Sequence, residues 1–288
     1  MMGKLKKLTG YRLFLPLSCL IIVLLINLIT TPTFFRITIN NGVLYGYIID
    51  VINRASELVV LAVGMTLVVS ASAGTDISVG AVMAVAAAVC TRVLAGGEVS
   101  VNEYANPYVL AVLAALAAAV VCGGFNGLLV AKLKIQPMVA TLILFTAGRG
   151  ISQLVTNGQI TYIRVDGYKL LGNNIPGIPI PTPIFVAVIV VALTYILLKK
   201  TAMGMYIQSV GINERASRLV GLKSVKIIWM AYAFCGLCAG IAGLVASSRI
   251  YSADANNIGL NMELDAIAAV ALGGNSLGGG KFSLLGSV

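Results

Sequence analysis

The sequence predicts an all-α fold, a polytopic transmembrane helix bundle, and three observations predict it. Apolar residues make up 59% of the 288-residue chain and charged residues only 10%. A soluble domain averages about 45–50% apolar and about 25% charged, so this chain has too few charges to cover a water-facing globule. The apolar residues fall in long runs separated by polar stretches. The basic residues, which give a net charge of +10, alternate between the gaps in the way that membrane orientation requires.

A crossing needs about 20 mostly apolar residues. On that basis spans are predicted at 12–30, 58–73, 77–95, 108–131, 138–156, 183–198 and 226–248, with a weaker one at 260–274. This gives about eight membrane segments in one transmembrane domain covering 1–288. The first run follows Lys4, Lys6, Lys7 and Arg12 like the start of a signal peptide. It is long, and no small-residue cleavage site follows it, so it reads as an uncleaved span.

Alternate counting from a cytoplasmic N-terminus puts Lys132, Lys134, Lys199, Lys200, Arg215, Arg218, Lys223 and Lys226 inside. Most acidic residues fall outside. The basic excess therefore reports orientation, and nucleic acid is not implied as a partner.

Several chemistries are excluded. There is no histidine, so Ser-His triads, Cys-His pairs and His-based zinc sites are absent. No catalytic or metal site is predicted. The five cysteines lie in apolar runs and read as small packing residues, including the Cys235–Cys238 pair. The stretch "GGNSLGGGKFS" fails the phosphate-loop pattern, because Asn275 stands where the first glycine belongs and Phe282 follows Lys281. Any ATP would be bound by another chain.

Small residues recur at four-residue spacing, as in Gly123 and Gly127 and in Gly236 and Gly240. Such faces let helix backbones approach closely. They read first as packing within one subunit, with a dimer seam as the alternative.

Two polar features interrupt the apolar regions. In "SASAGTDISVGAVMA" the Gly74-Thr75-Asp76 turn lies near or within the membrane boundary. Asp76 reads as the N-cap of a helix beginning near Ile77, or as part of a re-entrant turn shaping a solute pathway. Arg149 lies deep in a predicted span, and no carboxylate partner can be assigned to it.

The loop 199–226 gathers six basic residues and Glu214. Asn213 is a good N-cap, Glu214 suits the first turn, Glu214 and Arg218 are four apart, and Gly221 is a good C-terminal stop. About two turns cannot be stable alone. The helix needs membrane lipid, the protein's own spans or a soluble partner to pack against.

Four stretches resemble the permease subunits of bacterial ABC importers of the ribose, xylose and galactofuranose type. "GMYIQSVGINERASRLVGLKSVKI" resembles their cytoplasmic coupling segment through Gly204, Gly211, Asn213, Ala216 and Gly221. "AVGMTLVVSASAGTDISVGAVMA" matches through Gly64, Met65, Thr66, Gly74, Asp76, Ser78, Val79 and Gly80. "GGFNGLLVAKLKIQPMVATL" matches through Gly124, Asn126, Gly127, Pro137, Ala140 and Thr141. "AIAAVALGGNSLGGG" looks like the fourth motif, with Gly280-Lys281 a small departure. The stretch before Val69 looks closest to galactofuranose permeases.

The resemblance implies a permease subunit that forms the path of an ATP-driven sugar importer in the bacterial inner membrane. It implies two permease subunits, identical or paralogous, two ATPase subunits that use ATP and Mg, and a periplasmic sugar-binding protein. The coupling residues would be Gly204, Gly211, Asn213, Glu214, Arg215, Ala216, Arg218 and Gly221. The pathway or re-entrant candidates are Gly74, Asp76, Ser78, Gly80 and Asn126. No cofactor is expected on this chain itself. Family members usually continue with two more helices, ten in all, so a C-terminally truncated chain is expected. The alternative is an ion-coupled secondary transporter, for which Asp76 is the only mid-membrane carboxylate approaching the usual pattern.

Overall fold

A computed structural model describes residues 14–40 and 43–288. Lys4, Lys6, Lys7 and Arg12, and with them the start of the first predicted span, lie outside the described residues. In chain order the helices are α1 (Phe14–Thr30), α2 (Tyr47–Ser72), α3 (Val79–Ala95), α4 (Tyr108–Ala131), α5 (Pro137–Val155), α6 (Thr182–Lys200), α7 (Met203–Ile212), α8 (Glu214–Leu219), α9 (Ser224–Ile250), α10 (Met262–Leu272) and α11 (Leu284–Ser287). The strands are β1 (Thr38–Asn40), β2 (Val43–Tyr45), β3 (Ser100–Val101), β4 (Thr161–Ile163) and β5 (Ser252–Ala253). Among the described residues, α2, α4, α5, α6 and α9 are long and apolar enough to cross a membrane, and α1 and α3 are shorter apolar helices.

The predicted spans each meet a helix, with three differences. The second span begins at Tyr47, not 58. Its added turns carry charge, and the structure shows how that is tolerated: Glu57 pairs with Arg249 at 3.0 Å, and the same guanidinium donates to the Asn53 carbonyl at 2.9 Å. The third span begins at Val79, two residues after the predicted start. The weak span at 260–274 is an 11-residue helix, α10, too short to cross a hydrocarbon core of about 30 Å.

Helix α9 is the central element. It packs against α4, α2 and α3, and the glycines explain how. A Cβ on Gly123 would stand 2.4 Å from the Tyr232 carbonyl oxygen, and one on Gly236 would stand 2.4 Å from that of Ala119. The small-residue faces thus meet each other within one chain, backbone against backbone. Cys235 and Cys238 are free and buried and pack against Gly64.

The two ends of the bundle differ. At one end lie α7, α8 and the basic residues of 199–226. At the other, β3 pairs parallel with β4 and β4 pairs antiparallel with β5. That small sheet joins the segments after α3, α5 and α9. Tyr168 ties the same end to α9, its hydroxyl 2.7 Å from that of Ser247.

The α4–α9 contact makes a direct prediction. Gly236→Val overpacks a backbone crossing and should destabilise the chain by about 1–3 kcal/mol or more. Gly150→Ala, where nothing lies within 4 Å of a Cβ, should be neutral. Thermal unfolding of both variants in detergent checks this.

Candidate functional site

The chain break between α2 and α3 folds back into the bundle. Ala73 ends α2 in the left-handed conformation, and the chain returns so that the Asp76 N–H lies 3.5 Å from the Met65 sulfur. Asp76 is not the N-cap of α3. Ser78 holds that position, and Asp76 Oδ1 accepts from the Ser78 N–H at 2.9 Å and from its hydroxyl at 2.7 Å. Asn126 on α4 donates to Ser78 Oγ at 2.8 Å. The Ile77 N–H donates to Thr141 Oγ1 on α5 at 3.1 Å. Asp76, Ser78 and Asn126 are all buried. Gly74 packs on Pro137, and Gly80 packs on the Gly259 carbonyl. The five pathway candidates therefore form a packed knot in which Asp76, Ser78 and Asn126 bond one another, while Asn126 Oδ1 is buried without a partner.

The segment 203–221 lies directly beside this knot. A Cβ on Gly211 would stand 1.7 Å from the Ser70 carbonyl oxygen. That same oxygen accepts from the Gly280 N–H at 3.0 Å. Gly204 sits against the Leu198 carbonyl. The sequence predicted a single short helix here, but a second one, α7, precedes it and carries both glycines.

Helix α8 has both ends specified as its sequence indicates. The Asn213 side chain accepts from the Ala216 N–H at 3.0 Å. Gly221 has φ +86° with nothing within 4 Å of a Cβ, so conformation and not crowding selects glycine there. Glu214 accepts hydrogen bonds from Lys134 and Arg218 and one from Ser224 Oγ at 3.2 Å. Arg218 also donates to Ser224 Oγ at 2.8 Å. Ala216 and Arg215 are exposed, and at the tip Leu219 and Val220 are 89% and 77% exposed.

The clasp partners Lys134 and Ser224 were not singled out from sequence. Lys134 takes a left-handed conformation at the α4–α5 turn, and nothing in its local sequence announces a contact 80 residues away.

The fold thus brings the four motif stretches together, with Gly211, Ser70 and Gly280 in mutual contact and Lys134 reaching Glu214. Residues 47–288 match the family described as "Branched-chain amino acid transport system / permease component". The chain belongs to this family. It is a multi-pass membrane protein and a transporter component. It is 46% identical over 272 residues to the galactofuranose transporter permease protein YtfT of Escherichia coli K12, covering 94% of this chain and 77% of that protein. It is 40% identical to the fructose import permease protein FruF of Bifidobacterium longum, covering 98% and 78%. It is 36% identical to the ribose import permease protein RbsC of E. coli K12, covering 94% and 80%. No solved structure matches.

Arg149, which had no assignable partner, donates to the Ala255 carbonyl at 3.0 Å and to that of Ile258. Its partners are backbone oxygens, which no side-chain pattern reveals.

Burial opposes ionisation of Glu214, but the hydrogen bonds from Lys134 and Arg218 outweigh it and hold the carboxyl below its ordinary range. A depressed carboxyl contributes stability that is complete above its unfolded pKa and lost as pH falls through its folded pKa. Amide exchange in residues 214–221, corrected for intrinsic rates, should therefore lose protection only below about pH 4. Glu214→Gln should remove that pH dependence, and Asn213→Ala should lower local stability by about 1 kcal/mol at neutral pH.

Proposed function

We propose that the chain is the membrane-spanning permease subunit of an ATP-driven sugar importer in the bacterial inner membrane. The observation that carries this reading is the identity to relatives named as galactofuranose, fructose and ribose permeases, sustained over at least 94% of the chain. Residues 1–288 form one permease domain, with its basic end and N-terminus in the cytoplasm, as the positive-inside rule requires. A second permease subunit completes the path, and a periplasmic sugar-binding protein docks on the end built around β3, β4 and β5. ATP and Mg are bound by separate ATPase subunits.

In this reading α8 is the coupling element. It is a six-residue helix, too short to be stable alone, and its clasp to Lys134 and Ser224 holds it against the ends of α4 and α9. The exposed pair Leu219 and Val220 supplies apolar contact for an ATPase groove. Gly211 lets α7 sit close against α2, so that displacement of α8 is passed through α7 to the backbone at Ser70.

Sugar-stimulated ATP hydrolysis by the reconstituted permease–ATPase complex tests the assignment. Leu219→Asp with Val220→Asp should weaken ATPase association at least tenfold, since burying each side chain is worth about 1.5–3 kcal/mol. Unchanged association would overturn the role of α8. A panel of radiolabelled sugars, with leucine as the contrasting solute, should show uptake of a sugar only; uptake of leucine alone would overturn the cargo class.

A further inference from the structure

The exposed outer faces of α4, α5 and α6 are largely apolar, as lipid requires. One face is mixed: Leu260, Leu264 and Leu272 are exposed on it, but polar groups stand among them. After β5 the chain re-enters the bundle through residues 254–261 and continues as α10. Gln153, Asn256, Asn257, Asn261 and Asp265 are all exposed along this route. Asn261 precedes the helix in a left-handed conformation, and Asp265 lies in its first turn.

This strip lies within the depth of the bundle. The α10 residue Glu263 stands against Gly80, 2.3 Å from where its Cβ would be. Gly80 is in the first turn of α3, about 22 Å along the helix from Ala95. The other end of α10 is held by Gly273 against Gly286, whose neighbour Ser287 bonds Thr66 in α2 at 2.8 Å. Asp265 is therefore an exposed carboxylate inside the spanning thickness, where ionisable groups face a protein interior or a wet cavity, not lipid.

The strip is also preorganised. Asp254 Oδ1 accepts from the N–H groups of Asn256 and Asn257 at 2.9 and 3.2 Å, and its Oδ2 accepts from the Asn257 amide at 2.6 Å. Gln153 donates to the Asn256 side chain at 2.6 Å. Arg149 holds the loop from behind through the Ala255 and Ile258 carbonyls. Behind α10, Glu263 is buried with Oε2 unpartnered, and the same is true of Arg149 Nη2. The outward polar groups are amides and one carboxylate, which donate to and accept from hydroxyls without demanding a charged solute.

We propose that Gln153, Asn257, Asn261 and Asp265 line a water-filled passage and hydrogen-bond the hydroxyls of a neutral sugar moving through it. The sugar class rests on the function proposed above; the wet face rests on the structure alone.

Cysteines introduced one at a time at these four positions, in a Cys19→Ser, Cys122→Ser chain whose remaining cysteines are buried, reconstituted in vesicles with its ATPase partners, test it. A charged methanethiosulfonate should modify them at least tenfold faster than cysteines at Val188 or Leu193, which are exposed on α6. The sugar taken up by the wild-type complex should slow that modification severalfold. Asn257→Leu should raise the KM for uptake, while Asp265→Asn should retain more transport than Asp265→Leu. Rates equal to the α6 controls, with wild-type sugar uptake intact, would overturn the passage and leave the importer reading standing. Fast modification that no transported sugar slows would overturn the sugar contact.

Discussion

Backbone N–H and C=O groups inside a membrane protein must find partners within the protein, and the break between α2 and α3 is where that constraint bears hardest. Six residues leave helical geometry between Ser72 and Val79 while still inside the bundle. Each neighbouring element contributes to covering them. Asn126 comes from α4, Thr141 and Pro137 from α5, and Gly259 from the loop before α10. A buried polar group left unpaired costs about 1–3 kcal/mol. The positions of α4, α5 and α10 are thereby tied to one short turn, and Asp76 acts as the internal acceptor that organises it.

The same turn links the interior to the basic end. The Ser70 carbonyl receives the Gly280 N–H and is the atom against which Gly211 is packed. A side chain on Gly211 would have to displace that backbone. Lys134, on the turn between α4 and α5, then reaches across to Glu214. Motion of α8 is consequently resisted at two points, one a backbone contact at α2 and one an ion pair at the α4–α5 turn. The ion pair is half exposed and weak in water, whereas the glycine contact is rigid. The Ser70–Gly211 contact is the stiffer of the two.

Much of the fold was legible because lipid imposes strong rules on composition. Seven predicted runs meet a helix within a few residues at most of their ends, since a long apolar run bounded by charges has few other uses. The start of α2 was missed for a physical reason: Asp50, Arg54 and Glu57 read as the edge of water, and the Arg249–Glu57 pair that neutralises one of them spans nearly 200 residues. Helix α7 was missed because "MGMYIQSVGI" has glycines near both ends and no cap. The ends of α8 were legible because capping is local, involving Asn213, Ala216 and Gly221. Its clasp was not, because Lys134 and Ser224 approach only through the fold.

The polar groups of the bundle fall into two kinds. Asp76, Ser78 and Asn126 are buried and bonded to one another, so opening them to a solute would first break several hydrogen bonds in low dielectric. Asn257, Asn261 and Asp265 are exposed, and the first is already oriented by Asp254. A sugar hydroxyl that exchanges water for a protein amide or carboxylate gains little net free energy per bond, so partners that are accessible and fixed in advance suit it best. Sequence reasoning favoured the knot because a carboxylate within an apolar run is conspicuous. The knot's hydrogen bonds tie the α2–α3 turn to α4, and a solute path through it would have to open them.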